Sequence, residues 1–303
     1  MRSDYVLCLG TQGFHRVHYT DWGDPLNPRT VMCVHGLTRN CRDFDFLARR
    51  LASDCRVVCP DIVGRGESDW LPNKEDYGLP QYLSDIATLL ARIMLWPPAR
   101  NWLARLGNFL QRRYGTRSLY WVGTSMGGVI GMLLAAQPKS PIRRLVVNDV
   151  GPLIPKTFLD RIGSYIMSDP HFRTFDDLQN YVLKISASFG PLTEAQWHHL
   201  TLYNAKQYED GSWGMGYDPG IGLPFRRESM QDIDLWSAWD AITCPTLVLR
   251  GAESDLLLPK IADEMHRRGP RPRIVEFSGI GHAPMLLTED QITVVRDFLL
   301  TPE

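Results

Sequence analysis

Short apolar runs alternate with amphipathic stretches over most of this chain. Residues 5–9 and 14–20 have the alternating pattern of strands, and a turn region with Gly23, Pro25 and Pro28 follows them. Residues 30–34 form a short β-branched apolar run stopped by Gly36, as in a strand buried on both faces. Residues 43–51 carry apolar positions at helical spacing, residues 56–59 read as another buried strand, and residues 61–68 as a glycine-rich turn. The series goes on with a helix over 82–95, a strand over 119–122, a helix over 127–136 and a strand over 144–148. After a break it resumes with a strand over 246–249, a helix over 260–267, a strand over 273–277 and a helix over 290–300. This alternation predicts an α/β fold, a mostly parallel sheet flanked by helices on both faces.

The break runs from Pro152 to Trp236. There the strand periodicity lapses for about 85 residues, leaving helical segments and aromatic-rich loops. The expected organisation is a sheet domain made of residues 1–151 and 237–303, with a helical cap inserted at 152–236. The insert holds Trp197, Tyr203, Trp213, Tyr217, Phe225 and Trp236. Most of these are expected to form the insert's own small core, and some to line an apolar cleft. A second irregular stretch runs from Trp96-Pro97-Pro98 to Gly115. Trp102, Leu103, Leu106, Phe109 and Leu110 recur there at helical spacing, with Arg100, Arg105, Arg112 and Arg113 mostly around the stripe's edges. The pattern predicts a helix over 99–113 buried against the chain's own helices or the cap rim. A subunit interface and an anionic membrane surface are the other readings.

Composition narrows the classes further. The chain has 303 residues, 44% of them hydrophobic and 22% charged, enough for a core of ordinary size. A net charge of -1 offers no general attraction to nucleic acid or an anionic membrane. Cys8, Cys33, Cys41, Cys55, Cys59 and Cys244 form no C-x-x-C pair and have no histidines at zinc-ligand spacing. They read as reduced thiols, which fits a reducing compartment. The first residues lack the apolar segment of a secretory signal, and no apolar run approaches the roughly 20 residues that cross a bilayer. The expectation is a cytoplasmic enzyme without cofactor, metal, nucleic-acid or membrane partner, with a homodimer left open.

The chemistry gathers at three places. Gly123-Thr124-Ser125-Met126-Gly127 matches G-x-S-x-G, between an expected strand and an expected helix. In that context Ser125 is a candidate nucleophile, although glycine-serine turns also serve as plain connections. An acyl-transfer site needs two donors aimed at the developing oxyanion. The backbone N–H of Met126, at the helix N-terminus, is one candidate, and that of Leu37 in His35-Gly36-Leu37 is the other. His35 is expected to pack or hydrogen-bond beneath this loop. His282, in Gly279-Ile280-Gly281-His282-Ala283-Pro284, follows the last expected strand and is the candidate general base. Its bland alternative is a satisfied loop histidine. Asp255 follows the 246–249 strand and gives the order serine, aspartate, histidine, so it is the expected orienting acid. Glu253 and Asp149, the latter at the end of the 144–148 strand, are its competitors. His198-His199 is a poor metal pair, because adjacent residues on a helix point in different directions.

With these pieces in order, the chain resembles the α/β-hydrolase superfamily, and more narrowly its bacterial esterase-like branch with a helical cap. The resemblance rests on His35-Gly36-Leu37, Asp61-Ile62-Val63-Gly64-Arg65-Gly66-Glu67-Ser68, Gly123 through Gly128, Gly251 through Asp255, and Gly281-His282. It implies an eight-stranded sheet, a cap inserted after the sixth strand and no cofactor. It also implies that the Asp61 motif orders the turn after the fourth strand. Epoxide hydrolases and haloalkane dehalogenases of this superfamily carry aspartate where this chain has Ser125, so their reactions are disfavoured. The expected reaction is hydrolysis of a small apolar carboxylic ester through an acyl-serine. A C–C bond hydrolase or lactonase on the same triad is the alternative within the fold. A non-enzymatic small-ligand receptor on a hydrolase scaffold is the alternative outside it.

Overall fold

A computed structural model of the protein describes residues 1–95, 117–226 and 231–301. The helix expected over 99–113 lies outside the described residues. Eight strands form the main sheet: β1 (Arg2–Gly10), β2 (Gly13–Trp22), β3 (Arg29–Val34), β4 (Arg56–Pro60), β5 (Ser118–Thr124), β6 (Ile142–Asn148), β11 (Thr246–Gly251) and β12 (Arg273–Phe277). The insert between β6 and β11 contains the short strands β7 (Leu153–Ile154), β8 (Ala205–Gln207), β9 (Trp213–Met215) and β10 (Ile233–Asp234). The sheet order is β1-β2-β4-β3-β5-β6-β11-β12. Only β2 runs against its neighbours, pairing antiparallel with β1 and β4. The remaining neighbours pair in parallel. The expected mostly parallel eight-stranded sheet is present.

The central strands show why unbroken apolar runs make this sheet. Val31, Met32, Cys33 and Val34 are all fully buried. Side chains alternate across a strand, so successive residues need cover on opposite faces. Met32 and Val34 pack with Ile86 and Leu89 of the helix Leu79–Leu95 and with Ile130 of the helix Met126–Ala135. Val31 and Cys33 pack with Leu47 and Leu51 of the helix Asp45–Leu51 and with Val295 of the helix Glu289–Leu300. A polar residue on either side of these strands would lie in a dry core. All parallel strands end at one edge of the sheet, and the loops after β3, β5, β6, β11 and β12 meet there.

The insert crosses this edge. It carries the helices Lys156–Ile166, Phe175–Ile185 and Glu194–Tyr203, the ribbons β7–β10 and β8–β9, and the short helix Trp236–Asp240. A capping box between Thr193 and Gln196 starts the third of these helices. The insert's buried side chains are continuous with the main core. Phe158, Leu159, Ile166, Leu178 and Tyr217 belong to the same cluster as Val129 and Val150. Trp197 packs in a small cluster shared with Met285 and Leu287 of the histidine loop. The insert's aromatics pack partly on one another, as Trp213 does on Phe175 and Trp197 on Phe189, and partly on the sheet domain, so their core is not a separate one. The helices Lys156–Ile166 and Phe175–Ile185 each have one apolar face, and that face is buried most fully against the sheet domain.

Candidate active site

The strand-to-helix turn holds Ser125 at φ 52°, ψ -117°, a backbone conformation that side chains rarely adopt. Several bonds enforce it. The Ser125 N–H donates to the Asn148 carbonyl at 2.9 Å, and the Ser125 carbonyl accepts from Gly128 at 2.8 Å and Val129 at 3.0 Å. The flanking glycines allow the crowding. A Cβ on Gly127 would fall 1.9 Å from the Val34 carbonyl oxygen, and one on Gly123 would fall 2.2 Å from the Gly127 carbonyl oxygen. The Trp121 indole N–H, buried in β5, donates to that Gly127 carbonyl at 3.0 Å and ties the helix start to the sheet. The serine, at the end of β5, is therefore fixed against β3 and β6 by backbone packing.

His282 reaches this serine from the loop after β12. Its Nε2 lies 3.0 Å from Ser125 Oγ, and its Nδ1 lies 2.8 Å from Asp149 Oδ2. Asp149 is fully buried and also accepts from the Gly251 N–H at 2.8 Å and the Ser254 hydroxyl at 2.7 Å. A carboxylate that accepts three hydrogen bonds assigns the proton to Nδ1 and leaves Nε2 as acceptor for the serine hydroxyl. The histidine loop is held from two sides. The buried Asn148 amide donates to the Pro284 carbonyl at 2.7 Å and to Thr124 Oγ1 at 3.0 Å. From the insert, Ser188 Oγ donates to the His282 carbonyl at 2.9 Å. The Phe158 ring stands edge-on to the imidazole, with centroids 5.3 Å apart.

Asp255, the expected orienting acid, is not at the histidine; Asp149 takes that place. Its side chain is 57% exposed and pairs with Arg161 at 2.7 Å. The reason lies in the turn after β11. Ser254 N–H bonds back to Gly251, and Ser254 Oγ accepts from Leu256 and Leu257. This knot points the Ser254 hydroxyl inward to Asp149 and carries Asp255 outward. Asp149, by contrast, directly follows β6, the strand paired with β11, and stands at a positive φ of 55°. Glu253, the other competitor, donates its N–H to the Ile280 carbonyl, and the residue lines a polar cavity described below.

The loop after β3 lies beside Ser125. A Cβ on Gly36 would be 3.7 Å from that of Ser125. The N–H groups of Leu37 and Met126 donate to no other group among the described residues. Arg65, fully buried, donates from Nε to the Leu37 carbonyl at 2.8 Å and so fixes that peptide. His35 sits beneath the loop, as expected. Its Nδ1 bonds the Gly36 carbonyl at 2.7 Å, and its Nε2 accepts from the Ile62 N–H at 3.0 Å. Burial lowers its pKa to about 4, so the ring is neutral at ordinary pH. Asp61 accepts from the Cys41 and Glu67 N–H groups and bonds His18 at 2.7 Å, while Ser68 Oγ donates to the Asp61 carbonyl. These bonds hold the turn after β4. His198 and His199 part ways, the first against Phe175 and the second on the Arg42 carbonyl.

Two cavities meet at Ser125. One, of about 270 Å³, is apolar and is lined by Leu37, Met126 and Val129 from the sheet domain and by Phe158, Ile162 and Phe225 from the insert, among others. The other, of about 340 Å³, is the more polar of the two: it sets His282, Arg39, Arg161, Glu253 and Asp255 among apolar side chains such as Ile166, Val182 and Met285. Of the insert's aromatics singled out in the sequence, only Phe225 lines either cavity among the described residues. Phe158, Leu159 and Ile162 were missed. Their signal is the apolar spacing 158, 159, 162, 166 along one helix.

No described helix is long and apolar enough to cross a membrane. Comparison with known proteins agrees with the fold. A family model described as "Alpha/beta hydrolase family" matches residues 31–296. A curated 3-hydroxybutyrate-oligomer hydrolase of Cupriavidus necator is 43% identical over 305 residues, covering 98% of this chain and 97% of its own length. An alpha/beta hydrolase structure from Novosphingobium aromaticivorans superposes with a TM-score of 0.81 at 33% identity, over 98% of this chain and 97% of that one. A structure from Rickettsia typhi superposes with a TM-score of 0.87 at 28% identity over 100% of both chains. Sheet order, the turn at Ser125 and these matches agree, and the chain belongs to the alpha/beta hydrolase family.

Proposed function

We propose that this protein is a serine hydrolase that cleaves carboxylic esters through an acyl-Ser125 intermediate. The observation that carries the reading is the continuous hydrogen-bonded row Ser125–His282–Asp149, at the point where two cavities meet. His282 Nε2 takes the hydroxyl proton as Ser125 Oγ attacks the ester carbonyl. Asp149 holds the Nδ1 proton and stabilises the imidazolium that forms. The N–H groups of Leu37 and Met126 receive the oxyanion. Collapse breaks the C–O bond, and the His282 proton passes to the departing alkoxide. Water, deprotonated by His282, then releases the acid and restores Ser125. The insert closes the site as a cap, and its apolar residues shape the acyl side. The similarity to a 3-hydroxybutyrate-oligomer hydrolase supports short oligomeric esters of hydroxy acids as the substrate class.

A fluorophosphonate probe with peptide mapping, run beside esters of graded acyl length, tests this. Labelling is expected at Ser125, with turnover of short-chain esters. Ser125→Ala should abolish labelling and lower kcat by about 10⁶. Labelling at another serine, or ester turnover that survives in Ser125→Ala, would refute the reading.

A further inference from the structure

The two cavities differ in one respect that bears on the direction of cleavage. Ser125 lines both, but His282 lines only the polar one among the described residues. In the proposed reaction His282 hands its proton to the departing alkoxide, so the alcohol portion must lie on the histidine's side. The acyl portion then takes the apolar cavity. The polar cavity offers two guanidinium groups for whatever the alcohol portion carries. Arg39 is committed: it forms two bonds to Asp43, at 2.9 and 2.6 Å, and its side chain is 10% exposed. Arg161 is differently placed. It rises from the helix Lys156–Ile166, is 51% exposed, and pairs across to Asp255 on the sheet domain. Its guanidinium lies 4.9 Å from the Phe158 ring, the same ring that meets His282 edge-on. The cation is thus one aromatic ring away from the proton donor.

We propose that Arg161 binds the carboxylate of the leaving hydroxy acid, displacing Asp255, which holds the guanidinium in the cavity when no substrate is there. This rests on the ester-hydrolase reading above. An exposed ion pair is a weak one, so a substrate carboxylate can compete for it with little loss. In a 3-hydroxy acid the carboxyl carbon lies only about 4 Å from the ester oxygen, from the lengths of the bonds between them. A carboxylate there would remain within the polar cavity. The resulting specificity is for oligomers with a free acid end, cleaved one unit in from that end.

The test compares the linear dimer of 3-hydroxybutyrate with its methyl ester, which differs only in masking that carboxylate. The wild type should favour the free acid in kcat/KM. Arg161→Gln should cut the ratio of free acid to methyl ester by about tenfold, mainly through KM, because an interface charge is lost. Asp255→Asn should raise the ratio, since the Asp255 carboxylate no longer competes for Arg161. Reading a ratio cancels any loss of folded enzyme. A ratio unmoved by Arg161→Gln would overturn the proposal, and so would an equal fall in both variants, which would make the pair only a brace for the insert. Calorimetric binding of 3-hydroxybutyrate to Ser125→Ala, with and without Arg161→Gln, separates the two readings. Binding that depends on Arg161 in a protein that cleaves neither dimer would support this site and sink the esterase reading. Arg161-independent binding or none, in an enzyme that cleaves both dimers, would do the reverse.

Discussion

Asp149 and Asp255 stand after neighbouring strands at the same edge of the sheet, yet they live in different media. Asp149 is sealed, accepts three hydrogen bonds and touches the imidazole. Asp255 is more than half exposed and has a cation for a partner. A buried carboxylate held by fixed donors keeps one geometry and a strong local field, whereas an exposed one is screened and replaceable. The difference is what the two proposed roles require, one acid orienting a base and the other exchanging with a ligand. The chain order of the residues says nothing about which is which.

The most direct way to break this contrast is to neutralise each acid in turn. Asp149→Asn should lower kcat/KM on a neutral p-nitrophenyl ester by about 10⁴, because an amide whose oxygen keeps the Gly251 bond turns its NH2 to Nδ1 and so favours the wrong tautomer. Asp255→Asn should lower it by less than about tenfold, the scale of an exposed ion pair. The reverse ranking in steady-state kinetics would return Asp255 to the histidine.

The two histidines at this edge sharpen the same point. His282 faces a cavity, whereas His35 is wholly enclosed and has its pKa lowered to about 4. Asp61 and Asp43 favour its charged form and Arg65 opposes it, but desolvation is the largest influence. Below the ordinary histidine pKa of about 6.5 the unfolded chain binds a proton that the folded one refuses, so stability falls as pH drops from about 6.5 to about 4. His35 should account for up to ~3 kcal/mol of that fall, at 1.36 kcal/mol per unit. Urea denaturation of the wild type and His35→Gln at several pH values in this window should show the smaller slope in the variant. Parallel slopes would mean that His35 is not kept neutral.

A smaller effect is expected at the donor behind Asp149. Ser254→Ala removes one of its three hydrogen bonds and should cost about 1 kcal/mol of stability, measured by denaturant titration. The same change also frees the Leu256 and Leu257 N–H groups, so a neutral result would show that the turn can rebuild itself with water.

The turn at Ser125, the loop at His282 and the sheet were legible in the sequence because their signals are local. A glycine-flanked serine between an apolar strand and a helix needs only a few residues to declare itself, and so does a buried strand such as 30–34. The carboxylate that meets His282 was not legible in this way. Choosing between Asp149 and Asp255 requires knowing that β6 lies beside β11 and that Ser254 turns inward, and both are long-range facts. One clue was present: Asn148-Asp149 puts two polar residues at the end of the strand Leu145-Val146-Val147, whose other residues there are fully buried. Asn148 proved to bind both the serine turn and the histidine loop. The insert was legible as a lapse in strand periodicity, but its aromatic content misled. Trp197 and Tyr217 fill contacts between insert and sheet, while the insert's side of the apolar cavity is aliphatic apart from Phe158 and Phe225.

The gap between Gly127 and the Val34 carbonyl leaves no room for even a methyl group. The Ser125 turn is therefore seated directly on the end of the strand that leads into the Leu37 loop, and a side chain at Gly127 would push the two apart. For anyone wishing to give this scaffold a new substrate, that divides the molecule into two kinds of territory. The turn around Ser125 admits almost no rewriting, since its spacing is set by hydrogens where other residues would have carbons. The facing wall, from Phe158 to Phe225, is built from side chains that can be exchanged for others of similar volume. Libraries of variants should draw their diversity from that wall alone.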